Sequence, residues 1–148
     1  MTAANLSAIG SSTTGAVTVT NAVAITGSQS EVTAALITSG YQVDVTEAKV
    51  TINDADSASL TAANLSAIGS DTTGAVTVTN AVVVTGSVSE VTAALVTSGS
   101  QVDVTDAKVT INDADSASVT AANLIAIGSD TTGAVTVTNA VAITGSQS

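Results

Sequence analysis

Polar and apolar residues alternate from Ala16 to Thr26, where Val17, Val19, Val23 and Ile25 are interleaved with Thr18, Thr20, Ala24 and Thr26. Period-two alternation of β-branched residues predicts two short strands, valines inward and threonines outward, with Asn21-Ala22 at the corner. The segment before it, residues 2–15, has a different rhythm. Leu6 and Ile9 fall three apart, Thr2 stands where an N-cap is wanted, and Gly10 stands where a left-handed C-terminal residue is wanted, so a short helix is expected. Gly27 to Gly40 predicts a second helix. Ser28 and Glu31 have capping-box spacing, Val32, Ala35 and Leu36 share a face, and Gly40 closes it.

Residues 41–74 repeat that order in a longer form. Val43, Val45, Val50 and Ile52 are the inward files of two more strands, with Ala48 at the corner, followed by an acidic turn at Asn53 to Ser59. A helix is then expected over Leu60 to Gly69, burying Leu65 and Ile68. This pattern recurs because the sequence does: Thr2 to Leu60 matches Thr61 to Val119 at 51 of 59 positions, and T-T-G-A-V-T-V-T-N-A-V stands verbatim at 13–23, 72–82 and 131–141. The units are 2–60, 61–119 and a partial 120–148. Such a period marks stacked units that bury their apolar edges only against neighbours.

The expected fold is therefore α/β: one parallel β-solenoid domain over 1–148 made of strand-strand-short helix coils, about five in all. Each repeat supplies two coils, a short one such as 16–40 and a longer one such as 41–74. Strands recurring once per coil pair in parallel through right-handed crossovers. Short apolar runs leave open an all-β, three-sided β-helix.

Composition supports a narrow, filled interior. Tyr41 is the one aromatic residue, and Ala, Val, Ile and Leu supply nearly all apolar volume. Twelve acidic residues against Lys49 and Lys108 give a net charge of -10, without the basic footprint that nucleic-acid binding needs. No apolar run reaches the roughly 18 to 20 residues of a membrane span, and the N-terminus lacks the pattern of a signal peptide. Neither nucleic acid nor membrane insertion is expected. Cysteine and histidine are absent, which removes disulfides and the commonest nucleophile–base pairs, and no enzymatic activity is expected.

Three groups of residues invite a chemical reading. Asp54 and Asp56, repeated as Asp113 and Asp115, have the alternate spacing that begins many calcium loops, but they lack the third oxygen, the Gly and the distal Glu of a full loop. Helix N-capping and a solvated turn are the other reading. Outward Thr20, Thr46, Thr79, Thr105 and Thr138 are expected to form one file through five strands, accompanied by Thr18, Thr77 and Thr136. Asp44 and Asp103 interrupt the neighbouring file. Such a file is either an ordinary exposed strand face or an ice-binding surface. Asp44, Glu47 and Lys49 lie close enough for surface ion pairs. The N-x-S matches at Asn5 and Asn64 fall inside expected helices.

The two ends are also expected to complete one another. Residues 134–148 supply strands without a helix and 1–15 a helix without strands, so head-to-tail self-association into a homopolymer is predicted. End coils that look like interior coils leave strand edges open to another chain.

The motifs V-x-V-T-x-A and D-A-D-S-A-S-L-T-A-A-N-L, with the glycine-ended helices, resemble tandem-repeat regions of giant secreted or surface-attached bacterial proteins. The resemblance implies an extended solenoid serving as a stalk, fibre or matrix element outside the cell or on its surface. It also implies nearby calcium-binding repeats, although the G-G-x-G-x-D nonapeptide is missing here.

Overall fold

A computed structural model of the chain describes residues 1–38, 43–99 and 102–146. It is an α/β arrangement of short helices and parallel strands. In chain order these are α1 (Ala3–Ser11), β1 (Val17–Thr18), β2 (Ala24–Gly27), α2 (Gln29–Leu36), β3 (Val43–Asp44), β4 (Lys49–Ile52), β5 (Ser59–Thr61) and α3 (Ala62–Asp71). There follow β6 (Val76–Val78), β7 (Val83–Gly86), α4 (Val88–Val91, continued by a wider π-type turn over Thr92–Val96), β8 (Val102–Asp103), β9 (Lys108–Ile111), β10 (Ser118–Thr120), α5 (Ala121–Ser129), β11 (Val135–Val137) and β12 (Ala142–Thr144).

Four parallel sheets result. One has the order β2-β4-β6-β8 and a second β5-β7-β9-β11, while β1 pairs with β3 and β10 with β12. Directly paired residues lie 24 to 26 positions apart along the chain throughout. Examples are Val17 with Val43, Ala24 with Lys49, Val50 with Val76, and Ser59 with Val83. The helices pack on one another in chain order, α1 on α2, α2 on α3, α3 on α4, and α4 with its π-type turn on α5.

The core is aliphatic and runs in files. Ile25, Val50, Val76 and Val102 are buried on successive strands of the first large sheet, as are Leu60, Val84 and Val109 on the second. Each such side chain contributes about 1.5–3 kcal/mol of transfer free energy. From the helices come Leu6, Val32, Leu36, Leu65, Ile68, Val91, Leu95 and Ile127. Among the described residues the interior is made of branched aliphatic side chains that stack on copies of themselves.

Several expectations need correcting. Leu60 opens no helix. It is the central residue of β5, and α3 begins two positions later at Ala62. That extra strand breaks the scheme of alternating short and long coils, in which Val76 would sit on Val43. Instead β6 pairs with β4, because β5 and α3 together fill the single interval between Val50 and Val76. The helices set aside the all-β alternative. Gly10 lies inside α1 and is buried, and the cap is Ser12 in a right-handed conformation. Ile9 is half exposed, although its counterparts Ile68 and Ile127 are fully buried. Val17, Val19 and Val23 are only partly buried. The closing role assigned to Gly40 lies outside the described residues.

Candidate functional site

Where the chain turns between elements, polar groups join each segment to the one stacked beside it. The expected capping box at α2 forms, with Ser28 Oγ accepting from Glu31 N and Glu31 Oε2 accepting from Ser28 N at 2.8 Å. It recurs at Ser87 and Glu90. A second cap reaches in from outside the helix: Asp54 Oδ2 accepts from Gln29 N at 2.6 Å, and Asp113 Oδ2 accepts from Val88 N at 2.7 Å. A carboxylate at a helix N-terminus satisfies an orphan donor and complements the helix dipole.

The other two aspartates of the loops are also engaged. Asp56 Oδ1 accepts from Ala81 N, and Asp115 Oδ1 from Ala140 N. Ser57 and Ser116 take φ of 65° and 66°, a left-handed conformation, and each directs its N–H to the carbonyl of Ala81 or Ala140. Asn80 and Asn139 complete the joint by donating to the carbonyls of Asp54 and Asp113 at 2.6 Å. All four calcium candidates thus spend a carboxylate oxygen on backbone N–H groups of a neighbouring segment. Among the described residues, no group of three or more acidic side chains is placed to hold a metal ion. The helix-capping reading describes Asp54 and Asp113, and the helix each one serves precedes its loop in the chain.

The T-T-G triplet makes a second joint. Thr72 is buried, its Oγ1 donates to Ala48 O at 2.6 Å, and the same oxygen accepts from Gly74 N. Thr73 N and Oγ1 both donate to Thr46 O. Thr131, Thr132 and Gly133 repeat the arrangement on Thr105 and Ala107. A Cβ on Gly74 would stand 2.1 Å from Ala48 O, and one on Gly133 equally close to Ala107 O. Close approach, and not a special φ, is what requires glycine here.

The five threonines expected in one file do not share one. Thr46 sits under Thr72 and Thr73, whereas Thr79 and Thr138 send their N–H groups to Ile52 and Ile111. The threonines that do pair directly are Thr2, Thr26, Thr51 and Thr77 along the first large sheet, Thr61, Thr85, Thr110 and Thr136 along the second, and Thr120 with Thr144 between β10 and β12. Beside the second file stand Ser59, Val83 and Lys108, so its flank is irregular. Thr18 is paired with Asp44, and Thr77 with Asp103. Asp44 accepts from Thr46 N and Oγ1, and Asp103 accepts in the same way from Thr105. Asn5 and Asn64 lie in α1 and α3.

Two shallow grooves occur at equivalent places. One is lined by Val17, Leu36, Val43, Asp44 and Asp71, the other by Val76, Leu95, Val102, Asp103 and Asp130. Partial burial, followed by the charge of Asp44, holds the Asp71 carboxyl above the usual carboxylate range.

The framework defines the class: an α/β protein of parallel sheets and short helices whose polar groups are spent on joining its own segments. Comparison with protein-family models, curated proteins and solved structures finds no match to this chain.

Proposed function

We propose that the chain is a structural repeat element, a parallel solenoid that forms a segment of an extracellular fibre or stalk. One observation carries this reading: the same partner spacing persists through all four sheets. Each such interval is one rung with three sides, and one sequence repeat makes about two and one-third rungs. Successive repeats are therefore turned by a third of a revolution. In support, β2 lies in one large sheet, its counterpart β7 in the next repeat lies in the other, and the following counterpart β12 lies beside β10. The helices follow the same rotation, so paired helices occupy one side and then the next.

With about 4.8 Å per rung, each repeat adds about 11 Å of length at constant cross-section. The polar joints described above serve that geometry, and the resemblance to secreted tandem-repeat proteins agrees with it. So does the scarcity of lysine and arginine, which leaves few trypsin-type cleavage sites on an extracellular protein. Small-angle X-ray scattering, at dilution low enough to keep the particles single, tests the reading on this chain and on one lengthened by a further repeat unit. The expected result is growth of about 11 Å along one axis only. Growth in cross-section contradicts it.

A further inference from the structure

We infer that two copies of this chain pair side by side across the outer face of the first large sheet, with Lys49 of each copy entering the groove that carries Asp103 and Asp130 on the other. The inference draws on sheet order, exposure and charge, and stands apart from the winding reading.

Lys49 lies on β4 and Asp103 on β8, two strands away in the sheet β2-β4-β6-β8. Ile25, Val50, Val76 and Val102 face the core, so the residues that alternate with them face outward. The outer face carries Ala24, Lys49 and Ala75 in one row and Thr26, Thr51, Thr77 and Asp103 in the next. All seven are exposed or half-buried. Alanine and threonine are short, so two such faces can approach to about the 10 Å of stacked sheets. Lys49 is the side chain in these rows long enough to reach across that gap.

What it would reach is the groove lined by Val76, Leu95, Val102, Asp103 and Asp130 at the other end of the same face. The aliphatic residues make a bed for a lysine stem, and the two carboxylates receive its ammonium. Asp103 uses Oδ1 on Thr105 and keeps Oδ2, while Asp130 is exposed. Among the described residues no ion pair to Lys49 is found.

Charge selects this arrangement for a second copy. Two bodies of net charge -10 repel, but that repulsion is screened beyond about 8 Å at physiological ionic strength. At closer range the sign of each local pairing decides, and this face carries a cation and its complement together. A two-fold axis between the faces exchanges the two positions, so both lysines meet a groove at once. Such a contact is isologous and closes at two copies. Four strands about 4.8 Å apart and four residues of about 3.3 Å give a face of roughly 250 Å². That is well below the about 800 Å² per partner of a standard interface, so the pairing is weak and reversible.

The test is sedimentation velocity of the whole chain up to about 1 mM, where a contact this small is populated. The variants are Lys49→Glu, Asp130→Lys and Lys108→Glu. Lys49 and Asp130 are exposed, and a lysine at Asp130, the C-cap of α5, suits the helix dipole, so the single molecule keeps its fold. The unaltered chain is expected to form dimers and nothing larger. Lys49→Glu and Asp130→Lys, each alone, are expected to need at least about ten times the concentration. Their equimolar mixture is expected to pair like the parent, because both contacts again join a cation to a carboxylate. Lys108→Glu has the same net charge as Lys49→Glu but lies on the second large sheet, and is expected to pair like the parent. An unaltered chain that stays single throughout overturns the inference, as does one that grows beyond dimers. So do a Lys49→Glu or Asp130→Lys variant that pairs like the parent, a mixture that fails to recover, or a Lys108→Glu variant as impaired as Lys49→Glu.

Discussion

Gly15 and Gly74 occupy the same place in successive repeats, and their alanine variants should move stability in opposite directions. At Gly74 the new Cβ would lie 2.1 Å from Ala48 O and 2.6 Å from its carbonyl carbon, well inside any tolerable contact. Relief requires lifting the segment off the Thr46–Ala48 corner. That stretches the bonds from Thr72 Oγ1 to Ala48 O and from Thr73 to Thr46 O. Two to three hydrogen bonds at about 1 kcal/mol each, with about 1–3 kcal/mol for overpacking, put the loss at about 3–6 kcal/mol. At Gly15 no such neighbour exists, and alanine should add about 0.4–1 kcal/mol by restricting the unfolded chain. Urea denaturation followed by circular dichroism, in dilute protein where copies do not meet, compares the two. Equal effects at both positions would refute the close-approach argument.

Further outcomes follow from the same geometry. Val78→Asp places an unpaired charge at a buried site and is expected to cost several kcal/mol, seen as loss of the thermal transition. Asp54→Ala removes the acceptor of Gln29 N and should cost about 1–2 kcal/mol in urea denaturation. If Asp54 and Asp113 serve as caps and not as calcium ligands, the melting temperature is the same in calcium and in chelator. Asp71 has a raised carboxyl pKa in the folded chain, from burial first and Asp44 second, so its ionisation weakens the fold as pH rises through that range. Asp71→Asn should accordingly raise stability at neutral pH, a gain that disappears at pH below the unfolded carboxylate value.

The local elements were legible because local physics decides them. Alternating valines and threonines gave strands, and Ser28 with Glu31 gave a capped helix start. The strand pairing was not legible, because it depends on which segments share an interval. Leu60 reads equally well as a helix residue or a strand residue, and only pairing with Val84 decides for the strand. One strand more per repeat then shifts β6 from β3 to β4 and disperses the five threonines. The alternate spacing of the aspartates in N-D-A-D-S allowed a calcium reading beside the helix-capping one, and sequence alone names no donor for them. Their real donors, Gln29 N, Val88 N, Ala81 N and Ala140 N, belong to segments distant in the chain and adjacent in space. The verbatim stretch at 13–23 carried a usable signal. Its T-T-G and T-N-A triplets, at 72–74 and 79–81, are the places where neighbouring segments bond.

The central claim is that each sequence repeat winds through two and one-third rungs, and paired cysteines test it most directly. Thr51 and Thr77 are direct partners on adjacent parallel strands, about 4.8 Å apart and within disulfide reach. A winding of alternating short and long coils would instead set Thr51 beside Thr85. Mild oxidation should close the disulfide in Thr51→Cys with Thr77→Cys and leave Thr51→Cys with Thr85→Cys reduced. The opposite pattern would contradict the account.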